Sequence, residues 1–461
     1  MRILLIGAPS LREFSPPLSI YLLASILKEQ GHSITIIDPS EFHKIDNRIS
    51  GYVNNVDCIC ATANTFTWPL IRNFISDVRE IDEDILIILG GLHPSLADSH
   101  ILSTTQADLI VRGEGEYTLP KILEAKEKGK SFRDIDGITF KCNGKIKKTP
   151  DRRPMTSKEM EKTPLPSFEF VPRDRYIAIP VETSRGCFQN CSFCSIPYHG
   201  LWRGISTNKI FERIQHALHY KDRFINTTLE DGSETHIVAF TDDCFTSNSR
   251  RTNSFIDQFR VIKPNVQLSF EARITDLMKK EVLDKFSQST DLNICEIQIG
   301  AECGYNDGLA KVNKGITIEE ILSFSEKYCK MGLMKIMRIA YIYGLPWEGL
   351  KEILKTIHFA FMLSKKYGGL VGISPFLLLP GSAIWYKLSK KDSLVNYGVF
   401  DKINWFISSE YKKIRIFLPE RKFKQITKYI SLLKILSFCD KVSAPIEENQ
   451  MIKLANDLGR L

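Results

Sequence analysis

Cys187, Cys191 and Cys194 stand in one short run, Glu182-Thr-Ser-Arg-Gly-Cys-Phe-Gln-Asn-Cys-Ser-Phe-Cys. The spacing is Cys-x3-Cys-x2-Cys, and three thiolates this close can hold three corners of a [4Fe–4S] cluster. The fourth iron then has no protein ligand and is open to a small molecule, which makes the cluster a reaction centre as well as an electron carrier. Gly186 lets the chain turn sharply into the loop. A structural zinc site would want four closed ligands. The nearest extra candidate is His199, and no second Cys-x-x-Cys follows.

The elements that must position this loop alternate between strand and helix. Strands are expected at residues 2–7, 33–38, 57–62, 84–89 and 108–111, with helices at 17–30 and 116–128. That order implies a parallel sheet with helices on both faces. Ligands of such sheets lie beyond the carboxyl ends of the strands. Those ends carry Ala8-Pro9-Ser10, Ala61-Thr62-Ala63-Asn64, Gly90-Gly91-Leu92-His93-Pro94 and Arg112-Gly113-Glu114-Gly115-Glu116. Residues 138–149 read as a hairpin around Asn143-Gly144, followed by a proline-rich connection. Alternation then resumes, with strands expected at 178–183, 236–241, 266–271, 294–300, 335–343 and 370–377 and helices between them. Six repeats make a partial barrel, whose chemistry sits at the carboxyl ends of its strands. The predicted fold class is therefore α/β: a doubly wound N-terminal sheet (1–135), a hairpin and Pro-rich linker (136–175), a partial (β/α)6 barrel (176–385) and a mainly helical C-terminal region (386–461).

The strand-end segments of the barrel carry a second ordered set: Thr241-Asp242-Asp243, Phe270-Glu271-Ala272-Arg273, Gly300-Ala301-Glu302-Cys303, Gly344-Leu345-Pro346-Trp347-Glu348 and Pro380-Gly381-Ser382. With the cysteine run, this set resembles the radical S-adenosylmethionine enzymes. The Gly-Gly-x-His-Pro and Gly-Glu-Gly-Glu signatures ahead of it resemble the cobalamin-binding domain that precedes many such cores. The resemblance spans residues 1–385, and its specificity lies in the order of the motifs. It implies three cofactors: a 4Fe-4S cluster on Cys187, Cys191 and Cys194, S-adenosylmethionine, and cobalamin. Carried over residue by residue, Phe193, Asp242, Asp243, Arg273, Glu302 and Gly344 would contact S-adenosylmethionine. Ala8, Pro9, Thr62, Asn64, Gly90, Gly91, His93, Gly113, Glu114, Gly115 and Glu116 would surround cobalamin. The Asp-x-His-x-x-Gly motif that supplies a lower cobalt ligand in other cobalamin proteins is absent, so His93 is expected near the corrin rim or in a turn cap. Cys303 replaces the family's usual serine, and Trp347 a frequent glycine.

The resemblance further implies a radical methyltransferase acting on an unactivated carbon through a 5′-deoxyadenosyl radical and methylcobalamin. Ring closure or rearrangement on the same cofactors is the alternative. A non-catalytic cobalamin or cluster sensor is the alternative of a different class. An external one-electron donor of flavodoxin or ferredoxin type is expected as partner, and the substrate is unknown.

Composition bounds these readings. The chain has 461 residues, 43% of them hydrophobic, enough for a large core. Its net charge of +8, from 62 Lys plus Arg against 54 Asp plus Glu, is mild for the length and gives no expectation of nucleic acid. Eleven cysteines, an odd and scattered set, do not form a secreted disulfide framework. A reducing, cytoplasmic location is expected, and no apolar run reaches the length of a membrane span. After Trp385 the chain carries interleaved basic and apolar residues from Lys412 to Lys434 but no metal motif.

Overall fold

The structure is a computed structural model that describes residues 1–7, 14–38, 49–229, 231–287, 292–402, 426–428 and 430. Ile3, Leu4, Leu5 and Ile6 are all buried, as a strand covered by helices on both faces requires. They form β1 (Arg2–Gly7), followed by α1 (Leu18–Glu29), β2 (Ser33–Ile37), α2 (Ile49–Val53), β3 (Cys58–Thr62) and α3 (Trp68–Ile81). Then come β4 (Leu86–Gly90), α4 (Leu92–Leu96), α5 (Asp98–Thr104), β5 (Leu109–Val111) and α6 (Thr118–Glu127). The strand order is β2-β1-β3-β4-β5, all parallel. The direction of winding reverses at β1, so β1 and β3 flank the switch point where such sheets bind ligands.

The hairpin forms as expected, β6 (Ile138–Cys142) and β7 (Lys145–Lys148), with Asn143 and Gly144 both at positive φ. Its place differs from expectation. It is no part of a free linker, because β6 pairs antiparallel with β5 and extends the first sheet. The cause is side-chain packing: Ile138 and Phe140 bury with Leu109 and Val111. Arg112, itself buried, donates to Ile138 O, Thr139 Oγ1 and Thr149 O. Lys145, Lys147 and Lys148 on exposed β7 blunt the new sheet edge.

The connection, with α7 (Ser157–Glu161), is not loose. Ser25 Oγ lies 2.8 Å from Ser167 Oγ, and Tyr176 Oη donates to Asp38 at 2.6 Å. The second sheet begins with β8 (Ala178–Val181). A short antiparallel pair, β9 (Ser184–Arg185) and β10 (Arg203–Gly204), brackets the cysteine loop. Next come α8 (Thr207–His219), β11 (Thr227–Thr228), β12 (Glu234–Phe240), α9 (Ser249–Ile262), β13 (Val266–Ala272), α10 (Ile274–Leu277) and α11 (Lys280–Ser287). The barrel continues through β14 (Ile294–Glu302), α12 (Asn306–Lys311), α13 (Ile318–Lys330), β15 (Met337–Tyr343), α14 (Leu350–Tyr367), β16 (Leu370–Pro375) and α15 (Ala383–Ser389). β8, β12, β13, β14, β15 and β16 pair in that order, all parallel, and β16 does not close on β8. This is the expected open barrel. The helix expected between the third and fourth barrel strands is two, α10 and α11.

Residues 397–402 turn back from the barrel onto the first sheet. Asp401 accepts from Trp68 Nε1 at 2.9 Å and lies 3.0 Å from His100 Nε2. Of the basic stretch after residue 410, only 426–428 and 430 are described. Ile426 and Ile430 are buried while Thr427 and Lys428 are exposed. The rest of that stretch lies outside the described residues.

Candidate functional site

The cysteine loop leaves β9 at Gly186, whose φ is +84°. A Cβ there would stand 1.9 Å from Leu201 O, so only glycine allows the two arms of the loop to close. Gly200 N donates to Cys187 O and Cys194 N to Cys191 O. His199 braces the interior: Nδ1 lies 3.1 Å from Gln189 O and Nε2 3.2 Å from Cys194 O. Both ring nitrogens thus face backbone carbonyls, and His199 is not a fourth ligand for zinc. From outside, Ser192 N donates to Val312 O and Asn313 Nδ2 to Asn190 O at 2.9 Å.

The three thiols are free of disulfides. Among the described residues, no three His, Cys, Asp or Glu side chains gather around one point. An iron–sulfur cube itself spaces its thiolates, so the spread of the loop is no obstacle to a cluster. Burial pushes the Cys191 thiol up and Cys194 to about 11, while Lys314 near Cys191 acts in the opposite sense. Cys191 and Cys194 must therefore lose protons when iron binds.

The carboxyl ends of the barrel strands surround the loop. Asp243 Oδ2 accepts from Gly186 N at 2.8 Å, and its carboxyl is raised by burial. Asp242 is used differently from the expectation. It is buried, and its two oxygens accept from Thr183 N (2.7 Å), Ser184 N (2.9 Å) and both hydroxyls of these residues, with Arg251 3.7 Å away. Every lone pair is engaged in anchoring the approach to the cysteine loop, and none is left for a ligand. Phe193 is partly buried against the core. Arg273 donates from Nη2 to Thr275 Oγ1 and lies 3.9 Å from Asp276.

Glu302 pairs with Lys314 at 2.7 Å, and both are largely buried. Two features aim this carboxylate. The β14–β15 register slips between Gly300 and Glu302, and Glu302 itself sits at φ +67°. A left-handed glutamate is strained and must be held by its surroundings. A Cβ at Gly300 would fall 2.0 Å from Glu302 Oε1 and 2.7 Å from Lys314 Nζ. The Gly-x-Glu spacing therefore has a steric meaning: the glycine makes room for the ion pair laid across it. Gly344, at φ +82°, turns the chain after β15. Buried Glu348 accepts from Gly344 N and Leu345 N and from Tyr305 Oη.

Sequence reasoning missed two groups here. Lys314 had no signal in its own run, because its role depends on the bulge that presents Glu302. Glu271 alternates with outward-facing Phe270 and Ala272 and so points into the barrel lumen. Its side chain is accessible from the lumen and accepts from Gln298 Nε2 at 3.0 Å, and the protein crowded around it raises its carboxyl to about 7, with Asp243 adding to the effect.

In the first domain, a cavity of about 280 Å³ opens at the switch point. Its floor is apolar: Leu5, Cys60, Ile88 and Val111 from the strands, with Leu23 and Leu119 from α1 and α6. Thr62, Gly90, Gly91, Gly113, Glu114, Gly115 and Glu116 line it as well. A Cβ at Gly90 would meet nothing within 4 Å, so the space beside it belongs to the cavity. Apolar walls with glycine backbone at the rim suit a broad flat ligand. Glu182, Arg185 and Thr241 of the barrel complete the lining, so the cavity reaches the strand end that carries Asp242-Asp243.

Two expected residues are elsewhere, and two more fall outside the described residues. Asn64 Oδ1 accepts from Phe66 N and Thr67 N, a turn ahead of α3, and Asn64 does not line the cavity. His93 lies in α4, fully buried, stacked on Trp68 at 5.5 Å and edge-on to Phe400 at 5.8 Å. Burial lowers it to about 3. It is a core residue under the returning C-terminal segment, not a rim residue. Among the described residues no histidine lines the cavity. Ala8 and Pro9 lie outside the described residues.

Comparison with known proteins agrees with both halves. Residues 6–123 match the B12 binding domain family, and residues 181–360 the radical SAM superfamily. The chain is 27% identical over 422 residues to an uncharacterized methyltransferase of Pyrococcus horikoshii, covering 89% of this chain and 84% of that one. The fold matches the cobalamin-dependent S-adenosylmethionine radical enzyme OxsB with aqua-cobalamin bound, at TM-score 0.73 and 17% identity over 99% of this chain and 75% of that one. It also matches the radical S-adenosylmethionine methyltransferase TsrM from Kitasatospora setae, at TM-score 0.67 and 15% identity, over 85% of this chain and 75% of that one.

Proposed function

Because this chain belongs to the cobalamin-dependent radical S-adenosylmethionine enzymes, we propose that it is a methyltransferase acting on an unactivated carbon. Its cofactors are a 4Fe-4S cluster, S-adenosylmethionine and cobalamin. The observation that carries the reading is the cavity itself. One space is lined by the strand ends of the first sheet and by Glu182, Arg185 and Thr241 of the barrel. A methyl donor held against the first sheet would then stand beside the barrel strand ends where a radical source would be held. The likeness to a protein named as a methyltransferase points the same way.

When bound, the cluster and S-adenosylmethionine supply a radical able to take hydrogen from carbon, and cobalamin supplies the methyl group. The chain's own residues position and exclude water. Cys187, Cys191 and Cys194 would hold the cluster. Asp243 and Glu302 would accept from the ammonium of S-adenosylmethionine, and Arg273 would face its carboxylate. Phe193 and the Gly344 turn would bound the same molecule. Thr62, Gly90, Gly91, Gly113 and Gly115 would let the corrin approach backbone. An external one-electron donor would reduce the cluster.

The test is anaerobic reconstitution with iron, sulfide and cobalamin, followed by reduction in the presence of S-adenosylmethionine. 5′-Deoxyadenosine, lost in Cys191→Ala, is expected, together with S-adenosylhomocysteine from methylation of reduced cobalamin. Deoxyadenosine without S-adenosylhomocysteine, with cobalamin bound, would replace methyl transfer by ring closure or rearrangement. Bound cofactors without cleavage, substrates included, would leave a sensor.

A further inference from the structure

Glu114 and Glu116 were expected at cobalamin, yet their carboxylates are turned toward the barrel. Arg185, two residues before Cys187, meets both. Its Nη1 donates to Glu114 Oε1 at 3.1 Å and its Nη2 to Glu116 Oε1 at 2.6 Å. The same guanidinium donates to Glu182 Oε1 at 2.6 Å from Nε and to Glu182 Oε2 at 3.1 Å from Nη2. Two further arginines close the set. Arg203 Nη1 reaches Glu114 Oε1 at 2.7 Å, and Arg213 Nη1 reaches Glu182 Oε2 at 3.3 Å. Three cations and three carboxylates balance, and all six side chains are 6–14% exposed.

This placement has a geometric consequence. Glu114 and Glu116 are on the glycine-rich rim of the cavity, and Arg185 is on the strand that enters the cysteine loop. A guanidinium is a flat fork whose donors leave in fixed directions. Held by three carboxylates, it fixes the angle between rim and loop as well as their separation. Lysine offers one point charge and no such plane. A second contact runs parallel to it: Tyr198, inside the cysteine loop, places its Oη 3.3 Å from where a Cβ at Gly113 would stand. Arg203 lies over the Tyr198 ring at 4.4 Å. The rim and the loop thus meet at two neighbouring contacts, bridged by Arg203.

We propose that Arg185 is the positioning residue that sets the cobalamin cavity against the cluster loop, through Glu114, Glu116 and Glu182. The inference rests on the proposed function, since it concerns the placing of two cofactors for one substrate. Glu114 and Glu116 act through Arg185 and not as cobalamin ligands.

The test uses the full-length reconstituted protein and two variants, Arg185→Lys and the isosteric Glu116→Gln. Iron and cobalamin content are measured, then the EPR signal of cob(II)alamin beside the reduced cluster. Both variants are expected to keep full iron and cobalamin. The spin coupling to the cluster is expected to be uniform in the parent and to weaken and become heterogeneous in both variants. Deoxyadenosine formed per S-adenosylhomocysteine should rise at least about two-fold, because misplacement slows methyl capture relative to cleavage. Unchanged coupling with both cofactors bound would overturn the proposal. So would loss of cobalamin alone in Glu116→Gln, which would make Glu116 a direct ligand. If Arg185→Lys fails to fold, Glu116→Gln decides. A parent protein that takes up no cobalamin would sink the proposed function, and this inference with it.

Discussion

At the scale of single residues, two neighbouring carboxylates that look alike in sequence have different work. Asp242 anchors the start of the cysteine loop, and Asp243 faces it. Asp242→Asn removes the charge beside buried Arg251, and losing one partner of a buried pair costs about 3 kcal/mol. A lower melting temperature and reduced iron uptake are expected. Full stability and iron with weakened S-adenosylmethionine binding would instead make Asp242 a ligand. Gly300→Ala is the complementary case. The atoms it displaces are the ends of Glu302 and Lys314, a largely buried ion pair, so the fold should survive at a cost of about 1–3 kcal/mol, the usual range for overpacking. The carboxylate, however, moves. Deoxyadenosine formation is expected to fall at least about ten-fold, as positioned groups lose efficiency with small displacements. The measurement is a paired melting curve and cleavage assay.

At the scale of elements, His93 shows how context reassigns a motif. Gly-Gly-x-His-Pro was legible as a strand-end loop, and the first sheet places it there. What could not be read was the segment that covers it. Phe400 and Asp401 arrive from some three hundred residues away, and only their return makes His93 core. The same physics explains the hairpin: the Asn143-Gly144 turn is local and was readable, while its pairing with β5 depends on Arg112. Regular strands, α1, α6 and the longer barrel helices were legible because their periodicity is local, while α3 and the shorter helices were not read. Lys314, Arg185 and Glu271 were not singled out, because their roles come from a bulge, an interdomain meeting and the barrel lumen. His93 also gives a pH prediction. Its folded value, about 3, is below the ordinary 6.5, so the unfolded chain binds the extra proton as pH falls. The neutral ring's contribution is present above pH 6.5 and declines below it. Between pH 7 and 5 that loss is about 2 kcal/mol. His93→Leu in the apo-protein should lose that much less stability over the same interval while binding cobalamin with an unchanged spectrum. An altered spectrum would return His93 to the cobalt site.

At the scale of the whole molecule, one of the two buried clusters is shared by both sheets, while the other covers the second face of the first sheet alone. A single contiguous set of buried side chains runs from Leu4 and Ile6 through Tyr21, Phe168 and Tyr176 to Val238, Ile297 and Trp385. The connection contributes to it instead of spacing the domains, and Arg185 and Asp401 tie them at two points far apart in the sequence. Such a molecule should unfold as one unit, and ligand binding can reveal this by magnitude. Cobalamin at a hundred times its dissociation constant stabilises the folded state by about 2.7 kcal/mol. Spread over the unfolding entropy of the whole chain, that raises the melting temperature by about 3 °C. Confined to a first domain of some 120 residues, the same free energy would raise one transition by about 10 °C and leave the other in place. The expected result is one transition, reported alike by tryptophan fluorescence and far-UV circular dichroism, moved by the smaller amount. Two transitions of which only one responds would mean that the shared core does not couple the halves. The cavity would then lie between bodies free to move apart.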